Sequence, residues 1–136
     1  MRLPEVEHGD SLGSRLLIRF ISMASGMRLA DAARVAFYHK EFGGALSTWT
    51  QGAMRGSSSW TIGERELMAA MIAKWNSCSF CIGAHRAIAV KQLPTAVVDA
   101  SLAEFRTAPI GDGLKAPLST LQFLPQTSSI AQEICC

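Results

Sequence analysis

The spacing of four side chains between Glu66 and His85 constrains this 136-residue chain more than any other feature. Cys78 and Cys81 form a Cys-x-x-Cys pair, His85 follows four residues later, and Glu66 precedes Cys78 by twelve. On a helix, Cys78, Cys81 and His85 occupy positions i, i+3 and i+7 and share one face. A straight helix would leave Glu66 roughly 22 Å from Cys81, at about 1.5 Å per residue. A bend is needed to bring the carboxylate in, and Trp75-Asn76-Ser77 supplies one, because Asn and Ser are poor in helix interiors and good at N-caps. Two helices folding back near residue 76 set Glu66, ten residues before the pivot, opposite His85, nine after it. The cysteines then fall in the first turn of the second helix, where the macrodipole favours negative charge. An imidazole one turn from a thiol can take its proton, and the thiolate is the reactive species. The expected site is Glu66, His85, Cys81 and Cys78.

The flanking sequence supports a pair of helices. Thr61-Ile62-Gly63-Glu64 fits a capping box, which gives Glu64 a structural task and leaves Glu66 for the site. Leu67, Met71 and Trp75 repeat at helical spacing and read as core. The second motif helix continues through Ala84, Ile88 and Lys91 to Leu93-Pro94, and Gly83, Ala84, Ala87 and Ala89 keep it narrow. Thr95 is expected to cap a helix over 96–105 with Val98, Leu102 and Phe105 inward. Asp112-Gly113 opens another, with Leu114, Leu118 and Leu121. Pro117 lies inside it, at a cost of about 3 kcal/mol unless it occupies the first turn.

Upstream, residues 1–9 read as a polar arm with a solvated His8. A helix from Asp10-Ser11 carries Leu12, Leu16, Phe20 and Met23 on one face and Arg15 and Arg19 on the other, ending at Ser25-Gly26. A second runs from about Arg28 to Glu41, with Leu29, Ala33, Ala36 and Phe37 inward, His39 on the surface of its last turn, and Gly43-Gly44 as its stop. A third spans about Ala45 to Arg55, with Leu46, Trp49 and Ala53 on one side and Gly56 at its end. Ser57-Ser58-Ser59 reads as a turn. The tail 125–136 is polar and reads as mobile. Its adjacent Cys135 and Cys136 are bystanders, since neighbouring cysteines rarely bridge each other. No strand pattern of period two appears. The expected fold is all-α: one domain over 1–136, a bundle of six or seven short helices, with its core motif at 61–92 and the Cys-x-x-Cys pair starting a central helix.

Charge and composition limit the partners. Thirteen basic against eleven acidic residues give no basic field, which argues against nucleic acid. No apolar run is long enough to span a membrane, and the first residues lack signal-peptide anatomy, so the expected compartment is the cytosol. There a Cys-x-x-Cys pair is catalytic or metal-binding more often than a structural staple. Apolar residues make up 49% of the chain, a surplus that short chains commonly bury between subunits, so a homo-oligomer is expected.

The pattern Glu66, eleven residues, Cys78-x-x-Cys81, three residues, His85, with its Asn76-x-Cys78 lead-in, resembles the alkylhydroperoxidase D-like branch of the carboxymuconolactone decarboxylase family. The likeness covers about residues 60–92 and, more loosely, 28–60. It implies that Cys81 is the peroxide-attacking thiolate, Cys78 the resolving thiol, and His85 with Glu66 the proton relay. Phe80 stands where some members carry His or Tyr. The decarboxylase branch lacks the cysteine pair, which argues against that chemistry here. A peroxidase reading needs a hydroperoxide substrate. It also needs an outside dithiol donor, since no G-x-G-x-x-G fingerprint for a bound nicotinamide or flavin is present and no bound cofactor is expected. The resemblance suggests a lipoyl-bearing or thioredoxin-like donor. Cys81 has His85 at i+4, whereas Cys78 has Ile82 there. Cys78, one turn nearer the helix start, is expected to be the more exposed sulfur and the one the donor meets.

Other readings stay open at this point. Two cysteines, a histidine and Glu66 are enough ligands for zinc, although structural zinc sites draw on two knuckles and no second knuckle lies upstream. Inert packing thiols explain two cysteines but not the histidine one turn on. A catalytic zinc enzyme, and a non-catalytic thiol switch or interaction module, are the remaining alternatives.

Overall fold

The computed structural model describes Val6, Gly9, residues 11–26, Leu29 and residues 31–123. His8, Asp10, Arg28, Cys135 and Cys136 lie outside the described residues. The fold is all-α, and no strand occurs among the described residues. The chain divides into two units, Met1–Gly56 and Ser57–Cys136, with the boundary at the serine tract.

In the first unit, α1 (Leu12–Ser25) starts at Ser11, whose hydroxyl accepts the Ser14 N–H at 3.2 Å. It closes at Gly26, whose φ of 66° suits a residue without Cβ. The helix is where its period puts it, but its stripe is exposed: Leu12, Leu16, Phe20 and Met23 are 76%, 62%, 62% and 77% exposed. Ile18 is the buried residue instead. The next helix also departs from expectation. It is short, α2 (Asp31–Arg34) running into a 3-10 turn (Val35–Phe37). The chain then breaks at Tyr38-His39 and restarts as α3 (Lys40–Arg55), straight through Gly43-Gly44. Those glycines are therefore no stop. A Cβ on Gly43 would lie 2.0 Å from the Ala36 carbonyl oxygen, so Gly43 permits a close backbone approach. His39 sits on the surface as expected, but in extended backbone at the start of α3 rather than in a last turn.

The second unit comprises α4 (Ile62–Trp75), α5 (Ser79–Ala89), α6 (Thr95–Glu104) and α7 (Asp112–Leu121). Leu67, Met71, Ala89, Val98, Phe105, Leu114 and Leu118 form its core. Trp75 packs edge-on to Phe105 with ring centroids 6.0 Å apart. Pro94, not Thr95, takes the N-cap of α6; Thr95 is its first helical residue and offers no side-chain cap. Pro117 does lie within α7, beyond its first turn. Burying Leu114 and Leu118 contributes about 1.5–3 kcal/mol each, enough to offset the proline.

Polar contacts tie these helices together. Arg86 on α5 grips Asp99 on α6 with two hydrogen bonds of 2.7 and 2.9 Å, and that grip holds the Asp99 carboxyl below its ordinary range. The Lys74 ammonium donates to the Leu102 and Ala103 carbonyls, a cation at the C-terminal end of α6. Among the described residues, no helix is long and apolar enough to cross a membrane.

Candidate functional site

The site is built on the fold-back of α4 and α5, which lie in the same unit. The capping box that starts α4 is complete. Glu64 N–H donates to Thr61 Oγ1 at 3.2 Å, and Thr61 N–H donates to Glu64 Oε2 at 2.7 Å. Glu64 is thereby spent on the cap, and two residues later Glu66 turns inward with 1% exposure.

The end of α4 sets where the cysteines begin. Asn76 caps the helix, and Ser77 adopts φ 56°, the one non-glycine residue with positive φ among the described residues. Ser77 N–H donates to the Lys74 carbonyl and Cys78 N–H to the Ala73 carbonyl, the paired bonds of a Schellman turn. This turn delivers Cys78 directly to the N-cap of α5. Its Sγ accepts the Cys81 N–H at 3.4 Å.

Across the helix pair, His85 Nδ1 lies 2.6 Å from Glu66 Oε2. Burial of a carboxylate is costly without such a partner, so the contact also accounts for how Glu66 can sit inside. The imidazole itself is about a third exposed. With Nδ1 engaged by Glu66, Nε2 is the nitrogen left for proton exchange one helical turn from Cys81. Cys78 and Cys81 form a disulfide, with their Cα atoms 5.3 Å apart.

One expectation about the pair is reversed. Cys78 is the buried sulfur, 2% exposed, and Cys81 is half-buried. The Schellman turn tucks residue 78 against the end of α4, whereas position 81 lies on α5 beyond the turn. Phe80 is half-buried beside them. Among the described residues, no three His, Cys, Asp or Glu side chains cluster so as to hold a metal ion.

No protein-family model matches the chain, and no curated protein matches it. A solved structure does. It is the crystal structure of an uncharacterized peroxidase-related protein from Silicibacter sp. TM1040, with a TM-score of 0.63 and 16% sequence identity. The match covers 99% of this chain and 76% of that one. The two proteins share a fold.

Sequence reasoning missed one participant. Gln92, in the turn after α5, accepts the Gly63 N–H at 2.9 Å and so joins the end of the α5 segment to the first turn of α4. The only trace of it in the sequence is a glycine inside a capping box that does not need one.

Proposed function

We propose that this protein is a thiol-dependent peroxidase of the alkylhydroperoxidase D-like type, cycling between a Cys78–Cys81 disulfide and its dithiol. The observation that carries the reading is the buried Glu66 carboxylate bonded to His85, one turn from a cysteine pair at disulfide distance. The shared fold with a peroxidase-related protein supports it, as does the family resemblance of the motif.

In the proposed cycle, His85 Nε2 takes the Cys81 proton, and Glu66 steadies the imidazolium that results. The Cys81 thiolate attacks a peroxide oxygen of ROOH. The O–O bond breaks, Cys81 becomes a sulfenic acid, and the departing alkoxide takes the proton from His85 to leave as ROH. The Cys78 thiol then condenses with the sulfenic acid, forming the disulfide and releasing water. An external dithiol, lipoyl-bearing or thioredoxin-like, restores both thiols and is itself oxidised to a disulfide. Because Cys78 is buried, that donor attacks Cys81, and Cys78 leaves toward the N-terminus of α5. A cytosolic setting suits the cycle, since dithiol donors are kept reduced there. The exposed apolar stripe of α1 supports the further proposal that the chain works as a homo-oligomer.

Two variants test the chemistry, each in a background with Cys135 and Cys136 replaced by Ser. Serine is a good N-cap, so Cys78→Ser keeps the start of α5 intact. It should consume one equivalent of peroxide and stop with a sulfenic acid on Cys81, read by intact mass and a dimedone adduct. Cys81→Ser should not react. Sulfenic acid on Cys78 in the latter would reverse the two roles, and wild-type behaviour in both would end the redox reading.

A further inference from the structure

We propose that Gln92 is a positioning residue that holds Glu66 in register with His85, acting through Gly63. This rests on the Glu66–His85 relay proposed above. The helices α4 and α5 are joined at one end by the turn at Asn76-Ser77. At the other end the Gln92 side chain accepts the Gly63 N–H. Gly63 is the second residue of α4, three before Glu66, a rise of about 4.5 Å. Its N–H is one of the four that a helix start leaves without an intrahelical acceptor. Thr61 takes the one at Glu64, and Gln92 takes the one at Gly63.

The contact is built for close approach. A Cβ on Gly63 would lie 3.0 Å from Gln92 Cβ and 3.1 Å from Leu93 Cγ, tight enough that a larger residue would push the two segments apart. The Glu66–His85 hydrogen bond lies between the two ends and is 2.6 Å long. A displacement of α4 by about 1 Å along that bond would stretch it past the upper limit of about 3.2 Å. A shift of that size near reacting groups can cost about 10²-fold in rate. Gln92 is otherwise exposed, so its side chain contributes register rather than core.

The test uses Gln92→Met, which keeps the length and removes the acceptor, and Gln92→Glu, which keeps an acceptor at the same reach. The first readout is the tautomer of His85 in the neutral imidazole, from long-range proton–nitrogen NMR. Wild type and Gln92→Glu should hold the Nδ1-protonated form facing Glu66. Gln92→Met should show a mixture with the Nε2-protonated form. The second readout is peroxide consumption, expected to fall on the order of tenfold in Gln92→Met and to recover in Gln92→Glu, within the range misplacement produces. Gln92→Ala serves in place of Gln92→Met should the latter lower the folded fraction. A wild-type tautomer in the variants lacking the acceptor, or no recovery in Gln92→Glu, overturns the proposal. Glu66→Gln runs beside them: a wild-type rate there defeats the relay reading, and the tautomer alone then decides the role of Gln92.

Discussion

Replacing Glu66 with glutamine separates catalysis from stability more sharply than any other single change. The amide keeps the size of the side chain and can still accept the His85 Nδ1–H, so the buried site stays filled. What it loses is charge. A hydrogen bond to a charged group contributes about 1.5–3 kcal/mol against about 1 for a neutral one, so the imidazolium loses about 1–2 kcal/mol of support. At about 1.4 kcal/mol per decade, peroxide consumption should slow by about 5- to 30-fold. Stability should move little, because a neutral amide costs less to bury than a carboxylate. Glu64→Gln is the matched control two residues away. Its side chain accepts from Thr61 at the surface, and Gln is admitted in a capping box, so it should cost at most about 1 kcal/mol and leave the rate unchanged. Stopped-flow peroxide decay at matched folded fraction, with urea unfolding of the same samples, provides both numbers. Equal rate losses in the two variants would show that the relay has been assigned to the wrong carboxylate.

Two further outcomes are expected. Ser77→Gly should raise unfolding stability by about 1 kcal/mol, since Ser77 holds the left-handed backbone that glycine adopts without strain; an unchanged urea midpoint would refute that account of the turn. Sedimentation at micromolar concentration under reducing conditions should show an assembly that Leu16→Glu and Phe20→Glu together disperse, whereas a clean wild-type monomer would remove the oligomer proposal.

The parts of this molecule that were legible in advance are those set by local rules. The capping box at Thr61 and Glu64 satisfies orphan helix groups with residues three apart, so four letters are enough to find it. The approach of Glu66 to His85 needed only two helical periods and a pivot. Gly43 and Ser77 failed for the opposite reason. Gly43 is required by the Ala36 carbonyl, a neighbour that exists only once the chain has folded back on itself. Ser77 stands at a left-handed position that glycine usually marks, so the turn was visible as a break but its geometry was not. On α1 the period located the helix and its caps, yet an apolar stripe carries no information about what covers it.

The exposure of the cysteines bears on how the proposed roles are divided between them. Spacing placed Cys78 nearer the helix start, and nearness to a helix end suggested solvent. The Schellman turn instead folds that end onto α4 and buries the sulfur. Peroxide attack needs a sulfur that substrate can reach and an imidazole one turn away, and Cys81 has both. Resolution needs only a second thiol within bonding distance, which burial does not prevent. Only the point of entry of the proposed donor changes. A dithiol that must reach the buried Cys78 would have to open the turn first, whereas Cys81 is accessible as the disulfide stands. The reversal in burial therefore moves the entry point of the proposed reductant to Cys81 and leaves the proposed attacker and resolver as they were.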